Sequence, residues 1–200
     1  MIIEQVDQRE IQKRGGIYVK FPNSYVICSL LQRYNCNSVF DVTFGEGRFY
    51  KTCRDNIDIL IGSDPKRWDW VVKPDFFYPF NVFYLYMLLT KKKFNLPLRK
   101  LDVVVVDPPK WIINATYNKR EMYNYLIGTP ELIIETSEKI ANLLNTRYVL
   151  VHYRNVVKLA RAREQYIPIH LVEFKWFARY LYTENKNTSL YILYERKNTK

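Results

Sequence analysis

No stretch of this sequence is apolar for long enough to cross a bilayer, which takes about 20 consecutive residues. The densest apolar run, NVFYLYMLLT at 81–90, is half that length. The first residues, MIIEQVDQREIQKRGG, lack the layout of a signal peptide. Both absences read as a soluble intracellular protein, with the cytoplasm as the expected compartment and no membrane partner. Cysteine is scarce: Cys28, Cys36 and Cys53 have no CxxC spacing and no histidine nearby. Neither a disulfide framework nor a zinc site is expected, and no metal. Acidic residues are also short, 20 against 31 lysines and arginines, for a net charge of +11. That balance favours a polyanionic partner, nucleic acid above all. Repeats, low-complexity tracts and Gly/Ser linkers are absent. The 200 residues read as one domain, with 1–16 a loose lead-in ending at Gly15-Gly16.

What is present is a strand of unusual purity. Residues 101–110 read LDVVVVDPPK. Consecutive β-branched residues suit a strand buried on both faces, as in a parallel sheet. Pro108 and Pro109 lack backbone N–H groups and cannot continue a ladder. The strand therefore ends at Asp107, whose carboxylate is delivered to the C-terminal edge of the sheet, where open α/β sheets bind ligands.

Other elements follow from the same signals. Ser24–Tyr34 predicts a helix with Ser24 as N-cap. Strands are expected at Ser38–Val42, at Ile57–Ile61 and near Trp70–Val72, and a short helix over Arg48–Arg54. Asn81–Thr90 and Pro130–Asn145 read as helices, Tyr148–Tyr153 as a strand and Val156–Tyr166 as a basic helix. Two β-rich runs, 167–182 and 189–195, read as a terminal hairpin. Alternating β and α elements closed by a hairpin imply an α/β fold: a mostly parallel sheet, flanked by helices, with one antiparallel strand.

Three loops after strands carry the chemistry. The first is Asp41-Val42-Thr43-Phe44-Gly45-Glu46-Gly47, in which glycines let the backbone approach a ligand closely. The second ends at Asp64, at the spacing where an acid holds ribose hydroxyls in dinucleotide-binding folds. The third is Asp107-Pro108-Pro109. Their order on successive strands is more specific than any one of them.

Together these residues resemble the class I S-adenosylmethionine (SAM)-dependent methyltransferases. VFDVTFGEG resembles that family's first motif, and DPPK resembles the [DNS]-P-P-[YFW] motif of enzymes that methylate exocyclic amines of DNA and RNA bases. The resemblance implies a Rossmann-like seven-stranded sheet and SAM as cofactor. It implies that Phe44, Gly45, Glu46 and Gly47 run under the methionine part of SAM, with Thr43 also at the cofactor. It further implies that Asp41 lies near the amino acid moiety or orients the loop, that Asp64 binds the ribose and that Asp75 approaches the adenine. By the same resemblance, Lys20-Phe21-Pro22 is at the place where such enzymes cover the cofactor.

The role of Asp107 follows from the chemistry. An exocyclic amine is a poor nucleophile because its lone pair is delocalised into the ring. A carboxylate from Asp107 and a carbonyl from Pro108 that both accept its N–H bonds pull the nitrogen toward tetrahedral geometry, and Pro109 helps fix the carbonyl. The departure is Lys110, where the motif carries an aromatic that stacks on the flipped base. Three readings stay open: Trp111 stacks instead, Lys110 contacts phosphate, or base methylation is lost. Lys119 and Arg120 join Lys110 and Trp111 as expected substrate contacts. Cytosine-C5 chemistry needs a later cysteine nucleophile, and none follows Cys53. The alternatives to a nucleic-acid methyltransferase are a non-catalytic nucleic-acid-binding module on the same fold, or a methyltransferase for protein or small molecules.

Overall fold

A computed structural model describes residues 2–6, 22–97, 100–108, 130–153, 170–184 and 187–197. Along these the elements are β1 (Ile2–Val6), α1 (Pro22–Arg33), β2 (Ser38–Asp41), 3-10 turns at Arg48–Tyr50 and Arg54–Asn56, β3 (Ile59–Ser63), β4 (Phe76–Tyr78), α2 (Val82–Thr90), β5 (Val103–Val106), α3 (Pro130–Leu143), β6 (Tyr148–Tyr153), β7 (Phe174–Glu184) and β8 (Asn187–Arg196). They build one eight-stranded sheet in the order β1-β7-β8-β6-β5-β2-β3-β4. Strands β2 to β6 pair in parallel, and β8 runs antiparallel to both β6 and β7. The mostly parallel sheet and its terminal hairpin match the sequence reading, but the sheet has eight strands where seven are expected, because β1 adds to its edge.

The valines of β5 explain its central place. All of Val103 to Val106 are fully buried. Val103 and Val105 pack with Ile27, Leu30 and Leu31 of α1 on one face. Val104 and Val106 pack with Leu85 of α2 and Ile133, Ile134 and Ile140 of α3 on the other. A period of two with apolar residues on both faces is what a sheet sandwiched by helices requires. Asn81 starts α2 by accepting a hydrogen bond from Tyr84 N at 2.9 Å, an N-cap in the usual geometry. Among the described residues no helix is long and apolar enough to cross a membrane.

Several expectations are corrected. Ile2–Val6, read as part of a loose lead-in, is a strand that pairs in parallel with β7, from Ile2 beside Ala178 to Val6 beside Tyr182. The 11 residues of β7 leave a long edge that needs covering. Helix α1 starts at Pro22, a favoured first position, so Ser24 is inside it. The Ser24 hydroxyl instead accepts from Thr52 N at 3.0 Å. The segment Trp70–Val72 is not a strand, because the N–H groups of Val71 and Val72 are committed to the Glu46 carbonyl at 2.9 and 3.3 Å. The expected helix over Arg48–Arg54 is replaced by the two 3-10 turns. Cys28 and Cys53 form a disulfide, with Cα atoms 5.5 Å apart, between α1 and the segment between those turns. Their spacing gave no hint, because tertiary packing alone brings them together.

Candidate active site at the switch point of the sheet

The sheet order reverses at β2, which lies between β3 and β5. Two carboxylates reach the C-terminal edge there: Asp41 ends β2 and Asp107 follows β5. Asp41 is opposite Val105 in the ladder, and Val106 is opposite Val151 of β6. Asp107 and His152 are therefore side by side, and His152 pairs directly with Tyr191 of β8. Alternation along the strands puts Asp41, Asp107, His152 and Tyr191 on the face covered by α1.

A chain of contacts joins them. The Tyr50 hydroxyl donates to Asp41 Oδ2 at 2.8 Å. Asp41 Oδ1 accepts from Thr43 N at 2.9 Å and from Thr43 Oγ1 at 3.2 Å. Thr43 Oγ1 in turn accepts from the Asp107 backbone N–H at 2.7 Å. Asp107 Oδ1 is 3.1 Å from His152 Nδ1. The His152 ring stacks on Tyr191 with centroids 4.5 Å apart. Thr43 thus acts as a clasp between the ends of the two central strands, a role its place in the glycine loop did not announce.

Burial pushes the Asp41 carboxyl up to about 7, against the pull of the Thr43 N–H and the Tyr50 hydroxyl, and the nearby Asp107 charge adds to the rise. The Tyr50 hydroxyl is pushed up too, by burial and then by the Asp41 charge. The sign of the stability effect follows. Because the folded value is above the unfolded one of about 3.9, the folded chain holds a proton between pH 4 and 7 that the unfolded chain has lost. This contribution is complete below the unfolded value and is lost as pH rises through about 7. The Asp41→Asn variant, nearly isosteric and neutral, lacks it. In urea titrations from pH 5 to 8, wild-type stability falls relative to the variant, with a slope of up to about 1.4 kcal/mol per pH unit. Parallel curves would refute the assignment.

The glycine loop is shaped by its residues in different ways. Gly45 has φ of 56°, and a side chain there meets nothing within 4 Å, so the backbone is open on that side. Gly47 has φ of 72°, and its own missing side chain leaves room for the Val72 carbonyl and the Phe44 ring. Phe44 is buried, stacks on Tyr50 at 5.8 Å and fills the space above Gly62. Its side chain is core, so only its backbone belongs to the loop surface. Glu46 pairs with Arg48 across the loop at 2.6 Å.

Asp64 ends up next to this loop as expected, but already engaged. It is 3% exposed. Its Oδ2 accepts from Gly45 N at 3.0 Å, and its Oδ1 accepts from Lys66 N at 2.9 Å and Trp68 Nε1 at 3.1 Å. Both lone pairs of Oδ1 are thereby occupied.

Asp75 is a correction. It precedes β4 rather than following it, so it is at the N-terminal edge of the sheet, away from Asp41 and Asp107. There it accepts from Leu60 N at 2.8 Å and pairs with Arg54, pinning the starts of β3 and β4. The basic run Lys91-Lys92-Lys93 follows α2 and is likewise on the far side. Pro109, Lys110, Trp111, Lys119 and Arg120 are outside the described residues, as are Lys20, Phe21 and the basic helix expected at 156–166. His152 went unrecognised because it reads as a strand residue. The available signal was that it nearly ends a strand neighbouring β5, in phase with Asp107.

No family model matches this chain, and no curated protein is similar to it in sequence. Solved structures are similar in fold. The chain has the Rossmann-like fold of the class I SAM-dependent methyltransferases. The N-methyltransferase NodS from Bradyrhizobium japonicum aligns with a TM-score of 0.53 at 11% identity, over 96% of this chain and 100% of that one. An RNA methyltransferase, provisionally so assigned, from Pyrococcus horikoshii aligns with a TM-score of 0.52 at 14% identity, over 92% and 87%. A Listeria monocytogenes protein provisionally assigned to the class I methyltransferases gives 0.50 at 13% identity, over 96% and 68%.

Proposed function

We propose that this protein is a SAM-dependent methyltransferase that modifies an exocyclic amine of adenine or cytosine in nucleic acid. The observation that carries the reading is the meeting of Asp107 and the glycine loop at the switch point, joined through Thr43. Fold alone does not give function, so the weight falls on these residues. The similar folds include an N-methyltransferase and a protein provisionally assigned to RNA methylation, so this scaffold accommodates both halves of the reading. The charge of +11 supports a polyanionic substrate.

The residues fit the cofactor with one rearrangement. The open side of Gly45 gives a ligand close access to the backbone. Asp64 is placed for a ribose, and a diol takes up Oδ1 when one of its two donors leaves, the Trp68 side chain more readily than the Lys66 backbone N–H. When bound, SAM supplies an electrophilic methyl group on a sulfonium leaving group. The chain's own part is positioning. Asp107 accepts one N–H of the amine and the Pro108 carbonyl the other, which turns the nitrogen lone pair out of conjugation. Thr43 holds the Asp107 backbone in place, while Asp41, itself held by the Tyr50 hydroxyl, holds Thr43.

Incubation with methyl-labelled SAM and mixed DNA and RNA pools, followed by nucleoside mass spectrometry, is expected to yield an N-methylated adenine or cytosine. No label in any pool, together with no calorimetric binding at millimolar SAM, would overturn the reading. A second result concerns Trp68. SAM binding is expected to change the tryptophan emission of the wild-type protein, and Trp68→Phe to lose most of that change, because the Trp68 indole is the side-chain donor that gives way at Asp64 Oδ1. An unchanged signal in the variant rules out the displacement.

A further inference from the structure

His152 is wholly buried, yet among the described residues its Nε2 has no hydrogen-bond partner. An unmet polar atom in the interior costs about 1–3 kcal/mol, so a histidine in a central strand has to return something for it. Its surroundings narrow what that is. One ring face stacks on Tyr191 at an interplanar angle of 22°, and Phe49 meets the ring edge-on with centroids 5.1 Å apart. Tyr191 is itself tethered by its hydroxyl to Asn23 of α1. The imidazole is therefore held on both sides, and among the described residues its one polar contact is Nδ1 to Asp107 Oδ1 at 3.1 Å.

The tautomer follows from that contact. A carboxylate only accepts, so Nδ1 carries the proton and donates it. An imidazolium would leave a second N–H unpaired among aromatic rings, whereas the neutral form leaves only a lone pair. Orphaned donors are rarer in protein interiors than under-satisfied acceptors.

We propose that His152, as the neutral Nδ1–H tautomer, is the positioning residue of Asp107: it fixes the carboxylate rotamer so that the acid meets the substrate amine in one orientation. The inference rests on the methyltransferase reading and adds to it a residue that does not touch the substrate. With its backbone tied to Thr43 and its side chain to His152, Asp107 is held at both ends before the amine arrives.

The test compares His152→Asn, His152→Gln and His152→Leu in the labelled-SAM assay. An asparagine amide nitrogen reaches roughly the place of Nδ1, while a glutamine reaches that of Nε2. His152→Leu and His152→Gln should lower kcat by on the order of 10- to 100-fold, a loss typical when the partner that orients a functional group is removed. KM for SAM stays unchanged, and His152→Asn recovers most of the rate. A merely structural histidine would not rank asparagine above glutamine. Two-bond proton–nitrogen NMR gives a readout that needs no activity: the His152 ring, told apart from His170 by a His170→Gln variant, shows a protonated Nδ1 and a bare Nε2. A protonated Nε2 with a bare Nδ1 overturns the proposal. Active wild-type protein with an equally active His152→Leu overturns this inference alone. Wild-type protein that transfers no methyl group to any pool overturns the function and the inference together.

Discussion

The Asp107→Ala variant is expected to lose methyl transfer by a factor on the order of 10³ while binding SAM within about threefold of wild type. The separation comes from what each half of Asp107 does. In the proposed mechanism its carboxylate is the acceptor that redirects the amine lone pair, an interaction that tightens as the nitrogen becomes tetrahedral. Such an interaction lowers the barrier rather than the ground state, so its removal falls on kcat. Its backbone N–H donates to Thr43 whatever the side chain, so the clasp to the glycine loop survives in alanine. Asp107→Asn makes the sharper comparison. The amide oxygen can still face His152 Nδ1, which turns the NH₂ toward the substrate, a donor opposite a donor. The asparagine variant should be as inactive as the alanine variant although nearly isosteric. Label incorporation and SAM calorimetry on the same preparations decide the matter; an Asp107→Ala protein that is fully active would end the proposed mechanism.

Some of this site was legible in the sequence and some could not be. β5 and its terminal acid were, because four β-branched residues and two prolines each admit few backbone states. The glycine loop was legible for a similar reason. Asp75 was not: Pro74-Asp75 marks a turn, but whether the turn precedes or follows a strand depends on where the strand falls. The β-propensity of Trp70–Val72 pointed to the wrong segment, since their N–H groups answer the Glu46 carbonyl instead of a ladder. His152 required the sheet order, because alternation gives the face of a strand residue but not its neighbours on other strands. The engagement of Asp64 Oδ1 by Trp68 is side-chain geometry across four positions of loop, which no spacing rule contains. Pairing of Ile2–Val6 depends on the free edge of a strand 176 residues later, from Ile2 beside Ala178 to Val6 beside Tyr182, a contact with no local signature.

Gly47→Ala is expected to destabilise the fold by about 3–4 kcal/mol, against about 1 kcal/mol for Gly45→Ala. Both glycines have positive φ, 56° at Gly45 and 72° at Gly47, so both alanines carry the left-handed backbone cost. They differ in what the new methyl group meets. At Gly45 nothing lies within 4 Å, whereas at Gly47 the Cβ would be 2.4 Å from the Val72 carbonyl oxygen and 2.8 Å from the Phe44 ring. Neither neighbour can yield cheaply. The segment carrying Val72 is fastened through two N–H groups to the Glu46 carbonyl, one residue from the glycine itself. Phe44 is packed over Gly62 and stacked on Tyr50, whose hydroxyl holds Asp41. Strain at Gly47 therefore passes through Phe44 and Tyr50 to the carboxylate at the end of β2. Urea midpoints at a constant m value measure both variants. For a chain of this size the larger loss corresponds to a fall in Tm of about 10 °C. If Gly47→Ala proved no less stable than Gly45→Ala, the close approach of Val72 to the loop would be wrong, and with it the route by which the loop holds Asp41.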